Sequence, residues 1–188
     1  MRKLILNLAI TVDGFIEGPK GEIDWLVTDP EIDFGDILNE ILMDKDAIVY
    51  GRVSYDKWGT FQPDDASPKI KEAYKLMHSK QKYVFSRTKT GDHTDAIFIN
   101  SDIKEKVLEI KRQPGKNIWL YGGAKITTTL LNLGLIDEFR LAVHPVIIGS
   151  GKPLFRNIQD RHKLKLIDVE GYKSGVILVK YQADKANE

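Results

Sequence analysis

The chain has 188 residues, of which 42% are hydrophobic and 29% are charged, and this length suits one domain with its own core. Its 28 basic and 27 acidic residues give a formal net charge of +1, which excludes a general electrostatic preference for nucleic acid or for an anionic membrane. Cysteine is absent, which excludes disulfides, thiolate metal sites and cysteine nucleophiles and suits a reducing compartment.

The amino-terminal apolar stretch is short. It starts at Leu4 and is interrupted by Asn7 and then by Asp13, so it is too short for the core of a signal peptide or for a membrane-spanning helix. We therefore expect a cytoplasmic protein with no membrane partner and no nucleic-acid partner.

Strand-like and helix-like patterns alternate along the chain, which favours an α/β sheet with crossover helices. The predicted strands are residues 4–12, 46–50, 82–85, 96–100, 117–121, 136–143, 163–169 and 176–181. The last three follow one another without a helix, so the carboxyl-terminal end of the sheet should be antiparallel. We predict one domain over residues 1–182 and a flexible tail over 183–188.

Four helices are predicted from cap residues and from apolar spacing. Asp29 is the expected cap of the first helix, with Pro30 at its first position. Ser67 starts the second helix, Ser101 caps the third, and the fourth ends at Gly134. The apolar stripe expected on the first helix consists of Phe34, Ile37, Leu38, Ile41 and Leu42.

Residues 13–29 form a long segment without a helix or strand pattern. They contain three glycines and a proline, and an irregular loop of this length in a compact domain is usually functional. We expect Asp13 to fix the turn at its start.

The best binding signal is the segment Trp119–Lys125, where a buried strand breaks at Gly122 and Gly123 and enters a helix. Two glycines let backbone approach a phosphate, and the free N–H groups of the first helical turn then point at it. Lys125 adds a cation. The alternative is a tight turn that binds nothing.

Two further strand ends carry residues suited to phosphate. Gly51-Arg52-Val53-Ser54 offers close approach, a guanidinium and a hydroxyl, and Phe85-Ser86-Arg87 offers a similar pair. Ligands of open α/β sheets bind at the carboxyl ends of strands, so the three segments together predict a phosphate-rich nucleotide. The chain has neither a Gly-x-Gly-x-x-Gly fingerprint nor a P-loop, and its four histidines lack metal-ligand spacing.

In combination these segments resemble the dihydrofolate reductase family. Ile10–Ile16 with Trp25 resembles the first strand and the mobile substrate loop, and Gly51–Ser54 resembles the Gly-Arg-x-Thr/Ser phosphate motif. Phe85–Arg87 resembles the adenosine 2′-phosphate segment, and Tyr121–Lys125 resembles the Gly-Gly turn.

A closer likeness is to one branch of that family, which contains the reductase domain of riboflavin biosynthesis and small bacterial proteins. Thr11–Gly14, Leu135–Glu138 and Pro145–Gly151 are typical of this branch. Related members often pair through their carboxyl-terminal strands, so the resemblance also implies a homodimer.

The resemblance implies a three-layer dihydrofolate-reductase-like fold, with a mixed, mostly parallel sheet of about eight strands flanked by helices. It further implies an NADPH-dependent oxidoreductase that transfers hydride to a pterin-like substrate such as dihydrofolate. One alternative is the 5-amino-6-(5-phosphoribosylamino)uracil reductase-like activity of riboflavin biosynthesis, whose substrate phosphate needs cations. Another is an NADPH-binding protein without catalysis.

Carried over by position, the resemblance places the backbone of Ala9 and Ile10 along the nicotinamide. Arg52, Ser86 and Arg87 would select NADPH through its 2′-phosphate, while Ser54 and the Gly122–Ile126 segment would hold the pyrophosphate. The complete set of expected cofactor residues is Ala9, Ile10, Ile16, Gly51, Arg52, Ser54, Ser86, Arg87, Tyr121, Gly122, Gly123, Ala124, Lys125 and Ile126.

Phe15, Trp25 and Phe34 are the expected substrate-binding residues. Dihydrofolate reductases carry an acidic residue on the helix after the loop, and here Asp33 borders the apolar stripe while Asp36 lies nearly opposite it. Asp33 is therefore the predicted catalytic residue. The alternative is that both carboxylates only face solvent.

Overall fold

The structure is a computed structural model that describes residues 1–29, 33–89, 91–92 and 95–184. Its strands are β1 (Leu4–Thr11), β2 (Phe15–Glu17), β3 (Lys45–Gly51), β4 (Gln81–Phe85), β5 (Gly91–Asp92), β6 (Ile97–Ile99), β7 (Asn117–Gly122), β8 (Glu138–His144), β9 (Lys152–Pro153), β10 (Leu164–Gly171) and β11 (Ile177–Ala183). Its helices are α1 (Phe34–Met43), α2 (Arg52–Trp58), α3 (Pro68–His78), α4 (Ile103–Arg112) and α5 (Ala124–Asn132).

Nine strands form one sheet in the order β10-β11-β8-β1-β7-β3-β4-β6-β5, and β2 pairs with β9 in a separate small sheet. Six consecutive strands of this sheet pair in parallel, in the order β8-β1-β7-β3-β4-β6. Strand β11 is antiparallel to both β8 and β10. The predicted mostly parallel sheet with an antiparallel carboxyl-terminal end is confirmed.

Helices cover both faces of the sheet because side chains alternate along each strand. On β3, Ala47 and Val49 face a core shared with α4 and α5. Ile48 and Tyr50 face the opposite core, which is shared with α1 and α3. The result is the predicted three-layer α/β architecture.

Helix α1 begins later than its sequence pattern indicated. Asp33, in an extended conformation, is the N-cap, and its Oδ1 accepts the Gly35 N–H at 2.7 Å. The predicted Asp29 cap is therefore wrong, because a second aspartate four residues on satisfies the first turn; Pro30 lies outside the described residues. Of the predicted stripe, Leu38 and Leu42 are buried, whereas Phe34 and Ile37 are exposed.

Two other local features differ from the prediction. The N-cap of α4 is Asp102 rather than Ser101, whose hydroxyl instead donates to Asp102 Oδ2 at 2.9 Å. The predicted irregular segment 13–29 contains β2, and α2 had not been predicted. Helix α2 buries none of its residues, so it has no apolar stripe for periodicity to detect.

The last strand of the described chain, β11, belongs to the main sheet. The predicted domain limit at residue 182 falls within β11, and residues 185–188 of the predicted tail lie outside the described residues. Within the described part of the chain, no helix has the length and apolar character needed to cross a membrane.

Candidate functional site

The middle of the sheet opens at the carboxyl ends of β1 and β7. These strands pair from Leu4 and Ile118 to Leu6 and Leu120, but β1 continues to Thr11 and β7 to Gly122. On its other side β1 pairs with β8 from Ile5 to Thr11. Ala9 and Ile10 therefore lie beside a gap between neighbouring parallel strands, the kind of place where open α/β sheets bind ligands.

A cleft of about 1220 Å³ lies at this end of the molecule. It is formed by the ends of β3, β4 and β6, the starts of α2 and α5, and the β2–β9 pair. The predicted cofactor residues that line it are Gly51, Arg52, Ser54, Ser86, Arg87, Gly123, Ala124, Lys125 and Ile126. The structure thus brings three segments that are distant in sequence into one cleft.

Gly51 and Gly123 allow the cleft walls to approach closely. A Cβ atom on Gly51 would lie 3.2 Å from Ile126 Cγ2, and one on Gly123 would lie 3.0 Å from Ser54 Oγ. Gly122 has a φ of 115°, a conformation that favours glycine. With Gly123 as the N-cap and no side chain there to accept hydrogen bonds, the first N–H groups of α5 remain free for an anion.

Among the residues that the structure describes, five cationic side chains line the cleft: Arg52, Arg87, Lys125, Lys152 and Arg156. Lys152 and Arg156 were missed by sequence reasoning. Lys152 reaches the site because β9 pairs with β2, and its Nζ lies 3.0 Å from Glu17 Oε2. Its position directly after the Pro145–Gly151 motif was the available signal. Such a concentration of positive charge suits a ligand with several phosphates.

Ser86 shapes the turn after β4. The side chain is buried, and its Oγ accepts the N–H groups of Thr88 at 3.2 Å and Lys89 at 3.0 Å. Its hydroxyl hydrogen can still be donated to a ligand. Arg87, the next residue, is exposed at the cleft wall.

The segment that follows β1 is tied to the Pro145–Gly151 segment. Asp13 accepts hydrogen bonds from Thr11 Oγ1 at 2.6 Å and from the Gly149 N–H at 2.8 Å. The Thr11 hydroxyl is the main cause that holds the pKa of Asp13 below its ordinary value. Asp13 therefore fixes this turn, as predicted, and joins two of the motifs that the sequence singled out.

Trp25 and His144 hold the far end of the same loop. Their rings make an edge contact with centroids 5.5 Å apart, and the Val27 N–H donates to His144 Nδ1 at 3.0 Å. Since Nδ1 accepts this bond, neutral His144 carries its hydrogen on Nε2. Both rings are buried, and burial lowers the pKa of His144 below its ordinary 6.5.

This contact predicts a pH effect on stability. Because the folded pKa of His144 is depressed, its contribution is present above pH 6.5 and is lost as the pH falls through the folded pKa. Urea midpoints measured between about pH 7 and pH 5 should therefore decline. A His144→Asn variant, which can accept the Val27 N–H but does not titrate, should decline less. Equal declines in both proteins would show that His144 is not responsible.

The remaining predicted residues lie outside the lining of the cleft. Phe15 is half-buried in β2, Phe34 is 50% exposed on α1, and Asp33 serves as the α1 cap. Tyr121 packs between Tyr50 and Trp119, with ring centroids 4.9 Å and 5.1 Å away. Their roles in substrate binding, proton transfer and nicotinamide contact stay predictions, as do those of Ala9, Ile10, Ile16, Trp25 and Gly122.

Comparison with known proteins gives a consistent assignment. The chain is 52% identical over 181 residues to the uncharacterized protein YyaP of Bacillus subtilis (strain 168), covering 96% of this chain and 94% of YyaP. It also matches the crystal structure of a "Putative riboflavin biosynthesis protein" from Shewanella sp. PV-4, with a TM-score of 0.79, 22% identity and coverage of 98% and 100% of the two chains.

A third match is the diaminohydroxyphosphoribosylaminopyrimidine deaminase/5-amino-6-(5-phosphoribosylamino)uracil reductase of Thermotoga maritima. The TM-score is 0.67 with 17% identity, and the match covers 97% of this chain but 57% of that longer one. These structural likenesses confirm the fold. The family model of the RibD C-terminal domain matches residues 2–178, and the chain belongs to this family.

Proposed function

We propose that this protein is an NADPH-dependent reductase. The observation that carries the proposal is the cleft itself, in which a glycine turn, the start of α5 and five cations converge beside the gap between β1 and β7. Three phosphate groups in one ligand match this distribution of donors and charge.

The chain offers a separate place to each part of NADPH. Gly123, Ser54 and the start of α5 suit the pyrophosphate, because Gly123 lacks a side chain where Ser54 Oγ comes close. Arg52 and Arg87 suit the 2′-phosphate, since a guanidinium binds phosphate oxygens in a fork. The nicotinamide then lies toward Ala9 and Ile10 at the gap.

When bound, NADPH would supply a hydride to an electrophilic carbon of the substrate. The task of the chain is to hold the two reactants together and to keep water out. The loop after β1 is suited to cover the nicotinamide ring, because both of its ends are hydrogen-bonded near the end of β8. Asp13, at the start of the loop, accepts the Gly149 N–H, and the Val27 N–H, near its end, donates to His144, the last residue of β8.

The riboflavin-type pyrimidine now ranks ahead of dihydrofolate as the proposed substrate. Membership of the RibD C-terminal domain family supports a phosphoribosylamino-pyrimidine of the kind named for the Thermotoga maritima enzyme. The pterin hypothesis depended on a free acid on α1. Asp33 is engaged as the helix cap, and Asp36 pairs with Lys69 Nζ at 2.7 Å.

The test is NADPH oxidation by the purified protein with each candidate substrate. We expect turnover of 5-amino-6-(5-phosphoribosylamino)uracil and little or none of dihydrofolate. Faster turnover of dihydrofolate would restore the pterin assignment. Saturable NADPH binding without turnover of either compound would contradict a reductase and favour a protein that only senses the cofactor.

We also propose that two copies of the chain pair through the β10–β11 hairpin. All eight residues of β10 are exposed. Leu164, Leu166 and Val169 lie opposite Ala183, Tyr181 and Val179, respectively. Residues opposite one another share a face, and Val179 and Tyr181 on this face extend the main core. This face of the hairpin is continuous with the core and carries no charge, so it suits pairing with the same face of a second copy.

Leu166→Glu tests this pairing. A charge placed in an apolar interface is costly, so light scattering should show the wild-type protein at twice the chain mass and the variant at the single-chain mass. Lys165→Glu is the matched control, because Lys165 lies opposite Gln182 on the other face of the hairpin, and it should remain dimeric. A monomeric wild type or a dimeric Leu166→Glu variant would contradict the proposal.

A further inference from the structure

One carboxylate lies among the cations proposed to hold the 2′-phosphate. Arg52 Nη1 donates to Asp56 Oδ2, and the other oxygen, Oδ1, is 4.0 Å from Lys89 Nζ. Lys89 follows the Ser86 turn, and its N–H donates to Ser86 Oγ. Asp56 therefore bridges Arg52, which lines the cleft, and Lys89 in the turn after β4.

Helix stability does not account for this pair. In α2 the arginine is the first residue and the aspartate lies four residues later, whereas the order acidic-then-basic is the more stabilising one. Both side chains are also substantially exposed, at 42% and 39%, and exposed ion pairs contribute little to folding. The pair is better explained by the ligand that the same guanidinium is expected to bind.

Building on the proposed function, we propose that Asp56 is a specificity-determining residue of the cofactor cleft. Its carboxylate occupies Arg52 in the free protein and competes with the 2′-phosphate of NADPH for that guanidinium. It thereby limits the preference of the protein for NADPH over NADH.

The competition follows from charge. A phosphate approaching Arg52 must displace the carboxylate or share the guanidinium with it, and the two anions repel one another. NADH carries a 2′-hydroxyl at this place and experiences neither effect. Replacing the carboxylate with a neutral amide should therefore strengthen the binding of only those ligands that carry a 2′-phosphate. Added salt should reduce this difference in affinity between the variant and the wild type.

Asp56→Asn is the test, with dissociation constants measured by calorimetry for NADP⁺, NAD⁺ and 2′,5′-ADP at low and moderate salt. We expect NADP⁺ and 2′,5′-ADP to bind about fivefold more tightly to the variant, the scale of one exposed ion pair. Binding of NAD⁺ should stay within about twofold of wild type, since the change does not involve its phosphates.

Glu109→Gln is the matched control for net charge. It removes a carboxylate with 57% exposure that pairs with Lys106 on α4, six residues beyond Ile103, the α4 residue that lines the cleft. This variant should bind all three ligands like the wild type. An equal gain in both variants would assign the effect to overall charge and overturn the role of Asp56.

Other outcomes also decide the question. If Asp56→Asn leaves the NADP⁺ to NAD⁺ ratio unchanged, or weakens NADP⁺, Asp56 does not compete with the phosphate, although the proposed function would stand. If the wild-type protein binds no dinucleotide saturably, the proposed function fails and this inference fails with it.

Discussion

Replacing Arg52 with alanine is expected to weaken NADPH binding by about 30-fold, the equivalent of losing charge-assisted hydrogen bonds to one phosphate. NADH binding should change by no more than about threefold, because it has no 2′-phosphate for the guanidinium to contact. Dissociation constants for both dinucleotides, measured by fluorescence titration or calorimetry, provide the comparison. Arg52 is exposed at the start of α2, so the variant should fold normally.

The control for this prediction is Lys106→Ala, which removes an exposed cation on α4. That variant should bind both dinucleotides like the wild type. If Arg52→Ala weakened NADPH and NADH by the same factor, the guanidinium would contact a part that both share, and the assignment of the 2′-phosphate site would be wrong.

Gly151→Ala is expected to destabilise the protein by about 2 kcal/mol or more, because strained backbone and a direct clash add together. Gly151 has a φ of 151°, and a Cβ there would lie 2.2 Å from the carbonyl oxygen of Glu17. The Glu17 oxygen belongs to the backbone, and the position of a Cβ is fixed by the backbone of its own residue, so no side-chain rotation relieves the contact. The β2–β9 pair should separate, and NADPH should bind more weakly because Lys152 would leave the cleft.

Gly149→Ala is the matched control for that substitution. Gly149 also has a positive φ, 71°, but no atom lies within 4 Å of its would-be Cβ. It should cost only about 1 kcal/mol, the usual penalty of the left-handed conformation. Urea unfolding and NADPH titration of both variants isolate the clash. Similar losses in the two would indicate that the β2–β9 contact is not important for the cleft.

The parts of the site that sequence could predict are those with local signals. Gly51 and Gly122 end apolar strands, and such breaks are visible without knowing the fold. Their convergence also follows from a general rule, because the carboxyl ends of parallel strands lie at one edge of a sheet. The three phosphate-type segments were therefore predicted together.

The missed parts depend on contacts between distant residues. Lys152 enters the cleft through a two-residue strand whose partner, Glu17, is 135 positions away. Helix α2 buries none of its residues, which removes the periodic signal. The sequence could not distinguish Asp29 from Asp33 as the α1 cap, because both are aspartates and cap a helix equally well.

Sheet order was likewise beyond local reasoning. The first strand lies between β7 and β8, which are adjacent to it only in space. The exposure of β10 could not be predicted from its sequence either, because its residues would suit a covered strand equally well. It is exposed because it lies at the edge of the sheet.

The central claim is that the tips of neighbouring strands form one binding cleft for a 2′-phosphorylated nicotinamide dinucleotide. Calorimetric titration of the wild-type protein with NADPH and with NADH tests it most directly. We predict saturable binding of one NADPH per chain, tighter than that of NADH. The absence of saturable NADPH binding at concentrations above those found in cells would contradict the claim.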